Sequence, residues 1–371
     1  MLWNRNFSLL VAANVLLYAA VYLLYPLLHR WLVGDGGLTP LQAGGVCALF
    51  APAMFLLGAF NNYWVDHYAR KAVAERSLLA IALASLLYPY AGSPELVGAL
   101  RVVQGAAFGV AVMATGATLA IDVTPGDKRT PANRVFAWSS ILGAVAGLVT
   151  ALVGAEVWPF HSLLYLSAGL CLGAVLLVSM VEVCFRAPLD VPHCSFDRFL
   201  LFRSVPAGGN MLVVPFVLGI LAVAVPDIFF YLCTAAGFIG YLLFRQVYTR
   251  LMHGRLQVLL GQSLVIGGVL AMLSYPGSRC VLYLAAGCVG LGSGFSVGQF
   301  LRMMILLPRH CERASGFQTY LLLWEVGIVL GAWAAFVPAF NPFALSFMAA
   351  VAGLLLYQLY LHDYFERHVE A

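Results

Sequence analysis

Gln104-Gly105-Ala106-Ala107-Phe108-Gly109, followed by Asp127-Lys128-Arg129 and an apolar stretch holding Gly143 and Gly147, has a counterpart in the second half of the chain. There the order is Gly290-Leu291-Gly292-Ser293-Gly294, Cys311-Glu312-Arg313, then Gly327 and Gly331. The first glycines stand 185 positions apart and the later ones 184, and Ala69-Arg70 and Gly254-Arg255 keep the 185 spacing in another loop. Two long copies running in the same direction are how two-domain transporters are built, each half supplying one wall of a central path. Soluble repeat proteins instead string together many copies of roughly 20 to 50 residues.

Composition agrees. The 371 residues are 62% hydrophobic and 10% charged, with mean hydropathy +0.91, against about 25% charged residues in a soluble domain. Apolar runs of about 20 residues, enough to cross ~30 Å of hydrocarbon, lie near 7–28, 42–65, 75–91, 95–121, 134–155 and 160–184. Six more lie near 204–225, 226–250, 257–274, 280–305, 313–336 and 341–361. The sequence therefore predicts an all-α membrane protein of twelve helices: a six-helix bundle over 1–185, a hydrophilic linker over 186–203 with Pro188 and Pro192, and a second bundle over 204–371.

Charge placement tests that order independently. With both termini cytoplasmic, 17 of the 20 Lys and Arg fall on the inner side, among them Arg70, Lys71, Lys128, Arg129, Arg186, Arg198, Arg255 and Arg309. Only Arg30, Arg101 and Arg279 remain on the other side. The positive-inside rule demands such an asymmetry, and a missed span would scramble every later loop. The net charge of +4 is this inward bias and carries no nucleic-acid inference. Residues 1–28 have a basic residue before an apolar run, as a signal peptide does, but the run is long and no small-residue cleavage site precedes Tyr25-Pro26. They read as the first helix. The eight cysteines are scattered, with no Cys-x-x-Cys pair and no His at ligand spacing, so they read as packing residues and the chain as needing no metal or cofactor.

Leu100-Arg101-Val102-Val103-Gln104-Gly105 with Gly109 resembles the fourth-helix Arg-x-x-Gln-Gly motif of the major facilitator superfamily. Asp66-His67-Tyr68-Ala69-Arg70-Lys71 resembles that family's Asp-Arg-x-Gly-Arg-Arg loop after the second helix. With Leu2-Trp3-Asn4-Arg5-Asn6-Phe7 and Tyr22-Leu23-Leu24-Tyr25-Pro26-Leu27-Leu28, the chain looks like the bacterial arabinose-efflux-permease-like branch. The resemblance implies a major-facilitator-type fold of two pseudo-symmetric bundles, and a loop acid that latches an inner gate through Asp66, Arg70 and Lys71. The chain also departs from the pattern. Asn62 stands where the loop motif begins with Gly, Leu251 takes the acidic position in the second half, and Gly147-Leu148 replaces the Gly-Pro pair of drug-proton antiporters.

Several polar residues interrupt the apolar spans. A guanidinium inside a helix costs roughly 2.5 to 3.5 kcal/mol on the insertion scale, so Arg101 either faces a wet interior, sharing a helix face with Gln104, Phe108 and Thr115, or snorkels to the outer interface. Asn14, Tyr18, Tyr22, Tyr25 and His29 follow one another at intervals of 4, 4, 3 and 4 along the first helix, and Tyr231, Thr234, Phe238, Tyr241 and Arg245 at 3, 4, 3 and 4 along the eighth. Each set forms one face, suited to lining a solute cavity or to interhelical packing. Gln299 joins them as a cavity candidate. Glu325 lies mid-way along the eleventh helix with Gln318 on the same face. Burial disfavours a carboxylate, so this residue can load and release protons, coupling with Arg101, or it is a neutral or Arg-paired structural group. Asp122, Glu156, Glu182 and Asp227 stand at helix ends and read as solvated.

The whole reads as a secondary transporter moving a small organic solute, sugar-like, siderophore-like or drug-like, across a bacterial inner membrane by alternating access. Export by proton antiport is preferred over uptake by uniport or symport. Its partners are then the solute, the bilayer and the proton, with the chain a monomer and no nucleic acid involved. A non-transporting sensor or scaffold on the same fold is the alternative. Activated Ser or Cys arrangements and His-rich acid clusters are missing from the sequence, which argues against an enzyme.

Overall fold

The computed structural model describes residues 2–183, 192–195, 199–308 and 312–369. Arg186, Pro188, Arg198, Arg309 and Cys311, used above, lie outside them. Among the described residues the chain is helical and divides into two compact units, Met1–Leu201 and Phe202–Ala371.

In the first unit the spans are α1 (Arg5–Gly34), α2a (Pro40–Ala53) with α2b (Gly58–His67), α3 (Arg70–Tyr90), α4 (Pro94–Asp122), α5 (Gly126–Val157) and α6 (Phe160–Ser179). In the second they are α7 (Phe202–Ala224), α8 (Ile228–Leu251), α9 (Gly254–Ser274), α10 (Arg279–Leu306), α11 (Arg313–Ala334) and α12 (Pro342–His368). Eleven are continuous and apolar enough to cross a membrane; the twelfth is the α2a–α2b pair, bent by 45°. Five of the even-numbered spans start on side-chain caps; α6, which follows Pro159, does not. Thr39 and Gln42 form a capping box on α2a ahead of which Pro40 opens the helix, Ser93 caps α4 before Pro94, Asp227 caps α8, Ser278 caps α10, and Asn341 caps α12 before Pro342. Such caps satisfy backbone N–H groups that a helix start leaves unpaired.

Two boundaries differ from the sequence expectation. The second span is not continuous: its helix is interrupted at Leu49 and again over Met54–Leu57. Pro52, between the two interruptions, has no N–H to donate and its ring crowds the carbonyl of the preceding turn. The last span runs on to His368 rather than ending at 361, its extension held by a contact between His362 Nε2 and Glu366 Oε1 at 3.0 Å and by the Tyr364 hydroxyl donating to the Arg203 carbonyl at 3.1 Å.

The internal repeat is also a packing repeat. In the first unit α1 packs on α5 and α6, α3 on α4 and α6, and α2a on α4; in the second, α7 packs on α11 and α12, α9 on α10 and α12, and α8 on α10. Counted within each unit, the pairs are the same. The repeated glycines stand at equivalent contacts. Gly143 and Gly147 of α5 face the backbone oxygens of Val15 and Ala19 on α1, as Gly327 and Gly331 of α11 face those of Leu212 and Phe216 on α7. Without a hydrophobic drive between helices in lipid, such close backbone approach carries the association.

A methyl group at Gly147 or Gly331 would run into the Ala19 or Phe216 carbonyl, whereas one at Gly169 of α6 meets no atom within 4 Å. Gly147→Ala and Gly331→Ala are each expected to destabilise the protein by about 1–3 kcal/mol, with Gly169→Ala neutral. Thermal unfolding of detergent-purified protein reads this, and equal Tm values for all three would refute the packing account.

Candidate functional site

Arg101 lies on α4 and is fully buried, so snorkelling to the interface is ruled out in this conformation. Its Nη1 donates to Gln104 Oε1 at 2.7 Å and its Nε to the Cys47 carbonyl at 3.4 Å, beside the interruption at Leu49. The guanidinium carbon sits 4.4 Å from the Tyr25 ring centroid and 4.7 Å from that of Phe50. Cation–π contact and the hydrogen bonds offset part of the burial cost. Nη2 donates no hydrogen bond, and Arg101 forms no ion pair among the described residues.

A polar chain extends from this centre through the first unit. The Tyr88 hydroxyl donates to Gln104 Oε1 at 3.2 Å, Gln104 Nε2 donates to Ser85 Oγ at 3.2 Å, Ser167 Oγ lies 3.5 Å from Ser85 Oγ, and Ser167 donates to the Ala20 carbonyl at 2.9 Å. It ties α3, α4, α6 and α1 together. Ser85, Tyr88, Ser167 and Phe50 went unnoticed in the sequence. Small hydroxyls at apolar positions give no periodic signal, and Phe50 gains meaning only through the interruption at Pro52.

The first-helix stripe forms an aromatic stack. Tyr18 stacks on Tyr22 at 6.2 Å and meets the edge of Phe108 at 5.3 Å; Tyr22 meets Tyr25 at 5.7 Å, and Phe50 packs on Phe108 at 5.1 Å. Asn14 is placed differently. Its Nδ2 lies 2.8 Å and 2.9 Å from Ser139 Oγ and Ser140 Oγ on α5 and 3.1 Å from the Phe136 carbonyl, a helix-joining cluster. Thr115 falls in a π-helical segment, Met113–Leu119, and its hydroxyl donates to the Ala111 carbonyl of the same helix at 2.7 Å. His29 lies at the far end of α1, with Nε2 3.1 Å from the Pro40 carbonyl.

In the second unit the eighth-helix candidates separate. Tyr231 donates to the Ala222 carbonyl near the start of α8, while Tyr241 lies against Gly294 and Gly298 of α10, stacks with Tyr248 and packs at a tilt on Phe295. Ten helical residues put them about 15 Å apart along the axis. Gln299 Nε2 donates to Gln257 Oε1 at 2.7 Å, joining α10 to α9. Glu325 of α11 is fully buried, as is Gln318, whose amide atoms make no hydrogen bond among the described residues.

The loop residues Asp66 and Arg70 come together, and with a third group. Arg70 Nη1 reaches both oxygens of Asp122 at 2.7 and 2.8 Å, and Nη2 reaches Asp66 Oδ1 at 3.2 Å. Asp122 is thus paired rather than solvated, a correction to its reading as a solvated helix end; the single Nη1 of Arg70 spans both of its oxygens. Asp227 is likewise occupied, capping α8 through Phe230 N at 2.9 Å and accepting from the Tyr283 hydroxyl at 3.3 Å. Lys71 donates to the Ser179 and Val181 carbonyls at the end of α6. Cys47 and Cys171 are buried, as packing residues should be, but Cys194 and Cys280 are exposed.

No curated protein sequence matches the chain. Among solved structures it is similar to the human organic anion transporter MFSD10 (TETRAN), at 15% identity and TM-score 0.68 over 95% of this chain and 98% of that one. It is similar also to a variant of the nucleoside transporter NupG, at 14% identity and TM-score 0.67 over 97% and 99%. These likenesses show the fold. A family profile described as the Major Facilitator Superfamily matches residues 10–332. With twelve apolar spans in two equivalently packed units, and a profile match over most of its length, the chain belongs to the Major Facilitator Superfamily and is a multi-pass membrane transporter rather than an enzyme.

Proposed function

We propose that the protein exports a small organic solute across a bacterial inner membrane by alternating access, in exchange for protons, with both termini in the cytoplasm. The observation that carries the reading is Glu325, an acid fully buried in an apolar span. Such a group is expensive in hydrocarbon unless it is protonated or used, and protonation on one face with release on the other is what exchange requires. The solute-facing set is Tyr18, Tyr22, Tyr25, Arg101, Gln104 and Phe108 in the first unit, with Asn14 and Thr115 supporting the helices beside it. Tyr231, Tyr241 and Gln299 are the counterparts proposed in the second. The Asp66–Arg70–Asp122 ion pairs and Lys71 brace the inner ends of α2b, α3, α4 and α6, the place where an inner gate must open.

The charge pattern sets the orientation. Cys194 lies on the side proposed as cytoplasmic and Cys280, at the start of α10, on the other; both are exposed. A membrane-impermeant thiol reagent added to intact cells should label Cys280 and miss Cys194. Labelling of Cys194 would reverse the topology.

Glu325→Gln keeps the size and hydrogen bonding of the side chain but fixes it neutral. In proteoliposomes, solute should still exchange down its own gradient while uphill flux driven by an imposed pH gradient falls by about tenfold or more. Wild-type uphill flux in the variant would eliminate Glu325 as the proton carrier.

A further inference from the structure

Arg101 combines a full positive charge with complete burial and no carboxylate among the described residues to balance it. The rings of Tyr25 and Phe50, themselves edge to face, lie against the guanidinium, and its Nε and Nη1 are taken by the Cys47 carbonyl and Gln104. What remains is Nη2, fully enclosed and donating no aligned hydrogen bond, with the Tyr88 hydroxyl a further polar neighbour of the guanidinium. Arg70, by contrast, spends both of its Nη groups on carboxylates, Asp122 and Asp66.

We infer that Nη2 of Arg101 is the receptor for a carboxylate of the transported solute, and that the protein therefore carries organic anions. The inference rests on the transporter reading and names its substrate class. A planar guanidinium is suited to a planar carboxylate, and an anion entering here restores the charge balance the unit lacks. The covering rings sit where the backbone can yield. Tyr25 precedes Pro26 inside α1, and Phe50 begins the short Phe50–Ala53 segment, between the interruption at Leu49 and the turn at Met54. Movement of that segment draws the Phe50 ring off the guanidinium without unwinding α4.

Formate, small enough to reach an enclosed donor, is the probe. For purified full-length protein in detergent, formate is expected to raise Tm by about 2 °C or more over sodium chloride of equal ionic strength and over formamide, its neutral analogue. Arg101→Gln should lose the shift, and Arg101→Lys, which keeps the charge without the fork, should retain only part of it. An equal shift from chloride, no shift in the wild type, or a full shift in folded Arg101→Gln would each overturn the inference. Should Arg101→Gln not fold, modification of wild-type Arg101 by phenylglyoxal, read by peptide mass, decides: formate should slow it at least threefold and formamide should not, whereas no modification, or unprotected modification, speaks for a permanently buried structural residue. Flux separates this from the transporter reading. Neutral solutes moved equally by wild type and Arg101→Gln would leave transport standing and remove the anion; formate bound at Arg101 in protein that moves no solute would uphold the anion site and sink transport.

Discussion

Inside hydrocarbon every backbone polar group must find a partner within the protein, and the second span of this chain is where that requirement is hardest to meet. The helix is interrupted at Leu49 and again over Met54–Leu57, on either side of Pro52, and α4 is the helix that lies against the short segment between the two breaks. Gly105 and Gly109 of α4 face the Phe50 and Met54 carbonyls at a distance no larger residue permits, and Arg101, one turn earlier, donates to the Cys47 carbonyl. The Arg-x-x-Gln-Gly stretch is therefore one solution with three parts. The glycines let the two backbones meet, the arginine serves the exposed carbonyl, and Gln104 links the arginine to Tyr88 and Ser85.

The second unit repeats the helix pairing but not this chemistry. Gly290 of α10 faces the Thr234 carbonyl of α8, as Gly105 faces Phe50. Yet α8 is unbroken, and the position 185 beyond Arg101 is Ala286. With no interrupted helix to serve, no buried guanidinium is needed. The buried ionisable group of the second unit is on α11 instead, at Glu325. Symmetry of packing thus supports an asymmetry of charge, with a cation held in one unit and an acid in the other.

How much of this the sequence disclosed follows from the range of each signal. Spans and repeat depend on composition over 20 residues or more, and the helices fall close to their expected bounds. The broken span escaped notice because its hydropathy is continuous through Pro52. Helical spacing placed Tyr18, Tyr22 and Tyr25 on one face, and they do stack. The same spacing grouped Asn14 with them, although its amide turns to Ser139 and Ser140. A face is some 100° wide, and which edge meets which neighbour is decided by packing the chain alone does not display. Asp122 was misread for the same reason: its partner Arg70 lies 52 positions away.

The departures from the family pattern acquire a physical meaning at α5. Gly147 holds the helix against the Ala19 carbonyl of α1, and Leu148 follows with its N–H intact, so α5 runs unbroken from Arg129 to Val157. A proline at 148 would remove one hydrogen bond and bend the helix away from α1. Exchange that depended on such a bend has no counterpart here, and any coupling in this chain must use titration of a buried group rather than flexing of α5. In the exchange proposed above that group is Glu325 of α11, while the solute's charge is received at Arg101 of α4, so neither binding step uses α5.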